Sequence, residues 1–364
     1  EAEEAKRGMS AMVKVSVIIP VYNVAPYLGE CLDSVIQQSL TDIEIICIDD
    51  CSTDDSLQLL QKYAVSDSRI RILCNDKNRD VSATRNRGIR EAVGKYIFFM
   101  DSDDTFFSNN ALESLYDVAI TDLADVVWGR TVNWYCELGK SYYEINTLAN
   151  PDKDIRRGTV AGFPVLSYNV TVWNKLLLRS FVLKYCLFFD EDLLKFEDND
   201  FSCRICIHAK TISYIAINTY KYRQRIRGDR SKMYIKGCED AFWKCHAAKN
   251  MVSAVYNAEI GIQKIYAENI GDILRGAYRD FIRYRKDESR IEEFMMAMRD
   301  IFLVMPEGVF KNLPMEIQLI AFPLSREKYS QAWNMLFTYK KLRVWYYIRY
   351  LPSLFQYQLE RFSL

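Results

Sequence analysis

Acidic side chains collect where two short apolar runs of the sequence end. Asp50 lies just after the run at residues 43–48, and Asp101 and Asp103 follow the run at residues 96–100. Like charges repel and raise one another's pKa, so packing alone does not favour such clusters. The spacing of Asp101 and Asp103 predicts two carboxylates on the same side of an extended segment. There they can hold a hard cation such as Mg²⁺ or Mn²⁺ that a diphosphate also ligates.

Each candidate residue also has a purely structural interpretation. The D-x-D run would end a strand and cap a helix predicted over residues 108–119. Tyr22 offers an aromatic face for a base and Asp50 a carboxylate that accepts an imide N–H, so together they would read uracil. Taken singly, each is a turn residue. Arg85 would supply positive charge near the base or the phosphates, or it would be a surface arginine on a helix.

The elements that must position these residues alternate between two patterns. Strands are predicted at residues 13–21, 43–49, 70–74 and 96–100, and helices at residues 26–38, 56–64 and 81–92. Several strands are apolar nearly throughout, so both of their faces are expected to be covered. The rhythm predicts an α/β fold with a doubly wound, mainly parallel, Rossmann-like sheet. In such sheets ligands bind beyond the carboxyl ends of the strands.

Composition and charge narrow the function classes. The chain has 364 residues, with 48 basic and 48 acidic side chains. Zero net charge removes the electrostatic basis for binding nucleic acid. Residues 1–12 are predicted to be disordered or foreign to the domain, residues 13–230 to form the α/β domain, and residues 231–364 to form a helical region.

Cysteine usage and hydropathy indicate the compartment. The 10 cysteines lack the spacing of a disulfide framework, which favours a reducing environment. Cys203 and Cys206 form a C-x-x-C that resembles a helix face more than a metal or redox site, because no second Cys/His pair stands at zinc spacing. No signal peptide and no membrane span is recognisable. The sequence predicts a cytoplasmic protein, at most peripheral on the inner face of the cytoplasmic membrane.

Four segments resemble, in order and spacing, the nucleotide-binding half of the family-2 glycosyltransferases with the A-type (GT-A) fold. They are VSVIIPVYNV (15–24), IDDCSTD (48–54), SATRNRG (82–88) and FFMDSDD (98–104). A weaker match continues through VWNK (172–175), which resembles the family's W-x-K, and FEDNDF (196–201), which resembles its E-D-x-x-F. The resemblance implies a GT-A domain at residues 13–230, with a nucleotide-binding half (13–130) and an acceptor half (131–230).

The resemblance implies a role for each matching residue on the donor side. The nucleotide pocket would be formed by Pro20, Tyr22, Asn23, Asp50, Arg85 and Asp101. Tyr22 would stack on the base, and Asp50 would accept a hydrogen bond from uracil. Asp101 would contact the ribose or the metal, and Asp103 would be the principal ligand of Mn²⁺ or Mg²⁺.

On the acceptor side, Asp198 matches the family's general base, and Glu197 would orient it. An alcohol is a poor nucleophile, and a carboxylate opposite the departing diphosphate can take its proton as attack proceeds. The metal would neutralise charge on the leaving UDP. Contacts with the diphosphate or the acceptor are expected from Trp173, Lys175, Arg223 and Arg225. Together with Arg227 and Arg230, the two arginines would close over the diphosphate as a lid, or they would only solvate a loop.

The resemblance therefore implies a non-processive, inverting enzyme. It would move a hexose or N-acetylhexosamine from a UDP-sugar to a hydroxyl of a glycan or lipid-linked acceptor, in bacterial lipopolysaccharide or capsule synthesis. One departure is clear: Asp80 stands where the family usually has glycine, and Thr84 replaces alanine. A side chain at residue 80 would disturb the loop if φ there is positive. The alternative is a non-catalytic nucleotide-sugar-binding or assembly protein.

The C-terminal tail from Lys340 mixes basic and aromatic residues with Glu360 as its one acid. Such a mixture suits an anionic membrane surface or a lipid-linked acceptor. An interface in a homo-oligomer and packing within the chain's own domain are the alternatives.

Overall fold

The chain divides into two compact units, Glu1–Arg230 and Ser231–Leu364. The computed structural model describes residues 13–137, 140–145, 150–224, 237–284 and 290–332. The N-terminal residues 1–12, Arg225, Arg227, Arg230 and the basic, aromatic tail lie outside the described residues. The division of the first unit into a nucleotide-binding and an acceptor half stays a prediction.

The first half of unit one is a parallel sheet with helical crossovers. Its strands are β1 (Val15–Val21), β2 (Ile43–Asp49), β3 (Ile70–Cys74) and β4 (Tyr96–Phe99), and its helices are α1 (Ala25–Ile36), α2 (Ser56–Ser66), α3 (Asp80–Glu91) and α4 (Ala111–Asp122). The strands lie in the order β3-β2-β1-β4, all parallel. The strand order therefore reverses between β1 and β4, which is where such a sheet opens a crevice for ligands.

Helices cover both faces of β1, as a doubly wound sheet requires. Val17 and Ile19 point into the core that contains Leu28 of α1. Ile18 faces the opposite side, where α3 approaches so closely that a Cβ at Gly88 would stand 2.4 Å from the Ile18 side chain. Only glycine permits that approach. The predicted fold class is confirmed.

Beyond β4 the sheet becomes mixed. The further strands are β5 (Thr105–Phe106), β6 (Val126–Glu137), β7 (Lys140–Ile145), β8 (Ile155–Gly158), β9 (Lys175–Leu178) and β10 (Ile212–Gln224). The order continues β4-β9-β6-β10-β5, with β9 antiparallel to both of its neighbours and β10 parallel to β6. A 3₁₀ turn and two helices lie between these strands: Pro164–Tyr168, α5 (Arg179–Lys184) and α6 (Glu197–His208).

The D-x-D segment forms a turn, so the prediction of an extended segment was wrong. The backbone N–H of Asp104 donates to the carbonyl oxygen of Asp101, with an N–O distance of 3.1 Å. The capping interpretation was also wrong, because α4 begins at Ala111 and its N-cap residue, Asn110, makes no side-chain cap. The acidic residues at 101–104 therefore neither lie in a regular strand nor cap a helix.

Unit two is helical, as predicted for the C-terminal region. Its helices are α7 (Glu239–Val255), α8 (Ile260–Tyr284), α9 (Ile291–Leu303), α10 (Glu307–Phe310) and α11 (Met315–Ser325). Aromatic rings fill its core, where Phe281 and Phe294 stack with centroids 4.3 Å apart. Among the helices that the structure describes, none is long and apolar enough to cross a membrane.

Candidate active site

Arg85 joins three acidic side chains at the carboxyl edge of the sheet. Its Nη2 donates to Asp101 Oδ1 at 2.9 Å, and its Nη1 donates to Glu197 Oε1 and to Asp198 Oδ1, both at 3.1 Å. Arg85 is only 3% exposed. The interpretation of a surface arginine is therefore wrong, and α3 carries this side chain into the centre of the site.

Two local features hold the partners of Arg85 in place. Asn86, the next residue of α3, exchanges hydrogen bonds with the backbone of Phe189, whose ring lies 5.3 Å from the Arg85 guanidinium carbon. Phe196 has φ +67° at the entry to α6, so the chain turns sharply before the helix begins. Glu197 and Asp198 then occupy the first turn of α6, where the helix dipole favours negative charge.

One guanidinium cannot neutralise three carboxylates, of which Glu197 is buried and Asp101 and Asp198 are partly exposed, and the pKa values reflect this. Burial, reinforced by the neighbouring Asp198 carboxyl, raises the pKa of Glu197 to about 8. Burial also raises the pKa of Asp198, but Arg85, Lys175 and the backbone N–H of Val172 oppose that shift. Glu197 therefore holds a proton at neutral pH, and Asp198 is the acid of the pair with more cationic support.

A tyrosine hydroxyl fixes the D-x-D turn. Tyr220 of β10 donates to Asp104 Oδ2 at 2.9 Å and accepts from the backbone N–H of Asp101 at 3.2 Å. Asp104 is fully buried. The turn that presents Asp101 and Asp103 is thus anchored to β10.

Arg223 fixes the same turn from the other side. Its backbone N–H donates to Asp104 Oδ1 and its Nε to the carbonyl oxygen of Asp103, both at 2.7 Å. Its guanidinium pairs with Glu30 and lies 4.0 Å from the centre of the Trp134 ring. This differs from the predicted diphosphate contact or lid, because Arg223 is 6% exposed and its Nε and Nη2 donors are engaged within the fold.

The D-x-D turn offers oxygen ligands for a divalent cation. Asp101 gives one carboxylate oxygen to Arg85 and keeps 28% of its side-chain surface exposed, and Asp103 is half-buried beside it. Within the described residues no three His, Cys, Asp or Glu side chains are grouped to hold a metal. Two carboxylates do fit a Mn²⁺ or Mg²⁺ whose other ligands come from a diphosphate and water.

The C-x-x-C pair carries no such site. Cys203 and Cys206 are buried free thiols on α6. The helix-face interpretation of this pair agrees with their burial in the core.

The loops after β1 and β2 are joined through Asn23, which has φ +48°. Its Oδ1 accepts from the backbone N–H groups of Thr53 and Asp54 at 2.7 and 3.3 Å, and its own N–H donates to Ser52 Oγ at 3.1 Å. The amide oxygen of Asn23 is therefore engaged in shaping the predicted nucleotide pocket.

Asp50 and Tyr22 lie at this edge with different exposure. Asp50 is 4% exposed, and its Oδ1 accepts from Asn75 Nδ2 at 2.6 Å and from the Arg79 backbone N–H at 2.9 Å. Among the described residues, none donates to its Oδ2. Tyr22 is 49% exposed, and Pro20 is partly covered within β1.

Asp80 adopts a left-handed backbone conformation, as the usual glycine of the family at this position indicates. Its φ is +62°, and its N–H donates to Asn78 Oδ1 at 3.1 Å. Aspartate tolerates this region better than most side chains because its short carboxyl can bond locally. The loop therefore forms with Asp80 in place, at a cost in backbone strain.

Trp173 and Lys175 lie inside the fold. Trp173 is 8% exposed and stacks on Tyr220 and Tyr222, with centroids 4.9 Å away in each case. Lys175 is fully buried, and its ammonium donates to the backbone and side chain of Asn169. This differs from the predicted contacts with diphosphate or acceptor, because the Lys175 side chain has no exposed surface.

Sequence analysis missed Asp104 and Tyr220 as parts of the site. Both were visible, Asp104 in the acidic run at residues 101–104 and Tyr220 in the YKYRQ segment. Nothing local pairs them, because 116 residues separate the two.

Comparison with known proteins decides the family. The model of glycosyl transferase family 2 matches residues 16–176. The uncharacterized glycosyltransferase EpsJ of Bacillus subtilis is 30% identical over 245 residues, which span 65% of this chain and 68% of EpsJ. The chain belongs to glycosyltransferase family 2. This family-2 chain is accordingly a glycosyltransferase.

Further relatives of this family-2 enzyme cover more of its length. The poly(ribitol-phosphate) beta-glucosyltransferase of Bacillus spizizenii is 27% identical over 294 residues, which are 78% of this chain and 44% of that protein. The structure of S. aureus TarS 1-349 with UDP superposes with a TM-score of 0.74 at 18% identity, over 90% of this chain and 91% of that one. TarS 1-349 with UDP-GlcNAc gives 0.72 at 20% identity, over 90% and 92%. At such identity these structures show the GT-A fold alone.

Proposed function

We propose that this glycosyltransferase is metal-dependent and inverting, and that it moves a hexose or N-acetylhexosamine from a UDP-sugar to a hydroxyl of a glycan or lipid-linked acceptor. The observation that carries the proposal is the bridge that Arg85 makes between Asp101 and Asp198. Transfer needs a leaving diphosphate and a base on opposite sides of one sugar carbon. Through this bridge, the D-x-D turn and Asp198 contact the same guanidinium group.

The donor end of the proposal rests on Tyr22 and Asp50. A half-exposed tyrosine ring suits stacking on a base, and Asp50 keeps Oδ2 available to accept an imide N–H. Both residues follow strands that meet at the edge where the sheet order reverses. TarS, which shares the fold, is known in complexes with UDP and with UDP-GlcNAc. Uridine diphosphate is therefore the donor carrier that we propose here.

The chemical step is a single displacement. The acceptor oxygen attacks the anomeric carbon while the bond from that carbon to the UDP oxygen breaks, and the acceptor proton passes to Asp198. Asp198 suits this task because Arg85 and Lys175 favour its ionised form and because 24% of its side chain is exposed. A divalent cation held by Asp103 and Asp101 would neutralise charge on the leaving UDP. One displacement inverts the anomeric centre, so an α-linked donor gives a β-linked product.

The acceptor is proposed by class. The name of the Bacillus spizizenii relative assigns it beta-glucosyl transfer to poly(ribitol phosphate), which agrees with inversion. We propose that the present enzyme extends a bacterial surface polymer such as lipopolysaccharide or capsule, working in the cytoplasm or peripherally on the inner face of the membrane. Contact of the C-terminal region with the membrane, or with a second copy of the chain, remains part of this proposal.

UDP release from a panel of UDP-sugars tests the proposal, with Mn²⁺ or with EDTA. We expect one donor to be hydrolysed slowly by the wild type in Mn²⁺ only. Asp198→Asn should lower the rate by about 100-fold or more, since general base catalysis contributes roughly 10²–10⁴-fold. Asp103→Asn should lower the rate as well, because the cation that would neutralise charge on the leaving UDP would lose a ligand. Asp117→Asn, on the exposed face of α4, is the matched control.

Two results would overturn the proposed function. One is that calorimetry detects no binding of UDP and that no UDP-sugar of the panel releases UDP. The other is undiminished UDP release by Asp198→Asn, which would remove the proposed base.

A further inference from the structure

The loop at residues 169–172 packs against α6 beside Asp198. Ser202 stands one helical turn after Asp198, and its hydroxyl donates to the carbonyl oxygen of Val170 at 2.8 Å. The backbone N–H of Val172, at the end of this loop, favours the ionised form of the Asp198 carboxyl. The loop therefore touches the proposed base directly and is held by the same face of the same helix.

Lys175 holds this loop from inside the protein. Its ammonium donates to the Asn169 carbonyl oxygen at 3.1 Å, to Asn169 Oδ1 at 2.6 Å and to the carbonyl oxygen of Thr171. An ammonium has three N–H donors, and these three acceptors use all of them. The side chain lies 5.3 Å from the Trp128 ring centre in the buried face of β9.

Burial of a lysine side chain costs free energy unless the interactions of its ammonium offset the lost hydration. Desolvation disfavours the ammonium strongly, and it lowers the pKa of Lys175 to about 8. An aliphatic residue would pack at the same position without that penalty, but the Asn169 and Thr171 oxygens would lose the ammonium. Asn169 Oδ1 would keep only the Thr171 hydroxyl as a donor, and the Thr171 carbonyl oxygen only the Ser202 hydroxyl. Nothing in the core packing of β9 needs a charge, so its function lies in the loop that it organises.

The charge of Lys175 also acts on the proposed base. It lowers the pKa of Asp198, and Arg85 does the same more strongly. The positive charge of Lys175 thus supports the ionised acid, in addition to the hydrogen bonds that shape the loop.

We propose that Lys175 is a positioning residue for glycosyl transfer, which holds the loop at residues 169–172 against α6 so that Val172 and Asp198 stay aligned. The inference rests on the proposed role of Asp198 as the base. Ser202 holds the loop from the second side, so the two residues act on the same segment. Lys175 itself does not touch the substrates, since its side chain has no exposed surface.

Three variants test this role: Lys175→Met, Ser202→Ala and, as matched control, Ser213→Ala. Ser213 is an equally buried serine whose hydroxyl donates to Asp122, outside the site. We expect UDP release to fall about 10- to 100-fold in Lys175→Met, the scale of a displacement near 1 Å. In Ser202→Ala we expect a fall of roughly fivefold, the worth of one hydrogen bond. UDP affinity should stay within twofold of wild type in both, and Ser213→Ala should release UDP at the wild-type rate.

Two readouts separate positioning from a general structural effect. Amide hydrogen exchange at residues 169–172 should accelerate in Lys175→Met and Ser202→Ala, but not in Ser213→Ala. In addition, Lys175→Met should have little effect on UDP release when Asp198 is already Asn, because both changes act through one group.

The inference is overturned by wild-type UDP release in Lys175→Met, by unchanged exchange of the loop, or by full additivity with Asp198→Asn. If Lys175→Met does not fold, Ser202→Ala decides by the same criteria. Undiminished UDP release by Asp198→Asn would instead overturn the proposed function itself. An inactive Asp198→Asn beside fully active Lys175→Met and Ser202→Ala would sink this inference alone.

Discussion

The guanidinium of Arg85 reaches Asp198 across 113 residues of sequence, with 3.1 Å between Nη1 and Oδ1. The contact joins α3, which follows the donor-side strands, to α6, which carries the proposed base. Asp198 stays partly exposed, so the contact orients the carboxyl group and leaves it accessible to solvent. A single side chain thereby fixes the spatial relation between the two halves of the proposed chemistry.

Replacing Arg85 by Met should destabilise the protein and abolish UDP release. Three carboxyl groups would lose their shared cation in a buried place, and breaking a buried ion pair costs about 3–5 kcal/mol. Urea denaturation measures the loss in the free energy of unfolding, and the UDP-release assay measures the activity.

Arg204→Met is the matched control for removal of an arginine ion pair. Arg204 pairs with Asp200 within α6, with 2.7 Å between Nη2 and Oδ2, and donates to the carbonyl oxygen of Phe188. That variant should lose stability but keep UDP release per folded molecule. Arg85→Lys should remain inactive, because one ammonium cannot reproduce the fork between Asp101 and Asp198. Full activity in Arg85→Lys would show that the bridge needs only a positive charge.

Glu197→Gln should keep most of its activity, unlike Asp198→Asn. The pKa of Glu197 is raised from 4.5 to about 8, so its carboxyl is protonated at neutral pH and an amide mimics it. We expect UDP release within about fivefold of wild type, and the expected loss in Asp198→Asn is at least 100-fold. If Glu197→Gln is as inactive as Asp198→Asn, then Glu197 takes part as an ionised group.

The stability of Glu197→Gln should depend on pH in a defined direction. A carboxyl whose pKa is higher in the folded state stabilises the protein below its unfolded pKa, and that contribution is lost as pH rises from about 4.5 through about 8. Glutamine does not titrate. The melting temperature of Glu197→Gln should therefore rise relative to wild type across this interval, as scanning calorimetry can show. A difference that is constant with pH would contradict the raised pKa.

Local patterns sufficed for the donor half of the fold. The strands at residues 43–49 and 70–74 were predicted with the observed bounds, because runs of β-branched residues between turn residues are local signals. The antiparallel β9 between β4 and β6 was not predicted. Its place depends on pairings across about 80 residues, such as Phe98 with Leu176, that no periodicity encodes.

The site divides in the same way. The motifs located Asp101 and Asp198, because the types and spacing of site residues are written in the sequence. The burial of a side chain is not written there. Lys175 and Arg223 were therefore expected to contact a ligand, but in the structure Lys175 holds a loop and Arg223 holds a turn. A cationic side chain looks alike in sequence whether it faces a phosphate or a carbonyl oxygen. Only the tertiary structure separates the two.

Asp80→Gly should stabilise the protein slightly. The φ of +62° at this position is strained for aspartate and free for glycine. Part of the gain is offset by the greater chain entropy of glycine in the unfolded state, so we expect about 0.5–1 kcal/mol in the free energy of unfolding. Asp80→Asn should be close to neutral and Asp80→Ala destabilising, because alanine lacks the local bonding that lets Asp and Asn adopt this backbone. Equal stability of the alanine and glycine variants would mean that the loop relaxes to negative φ.

Tyr22→Ala should weaken UDP binding without unfolding the protein. The ring is half exposed at the edge where the sheet order reverses, so its removal costs little packing. Stacking of a base on an aromatic ring contributes about 1–3 kcal/mol, which corresponds to a loss of roughly 5- to 140-fold in UDP affinity by calorimetry. Tyr22→Phe should bind nearly as wild type, since the ring and not the hydroxyl makes the contact.

Tyr256→Ala, at a similarly exposed tyrosine of the helical unit, controls for loss of surface aromatic area. Unchanged affinity in Tyr22→Ala would place the base elsewhere on the sheet edge, while equal losses in Tyr22→Ala and Tyr22→Phe would assign the contact to the hydroxyl.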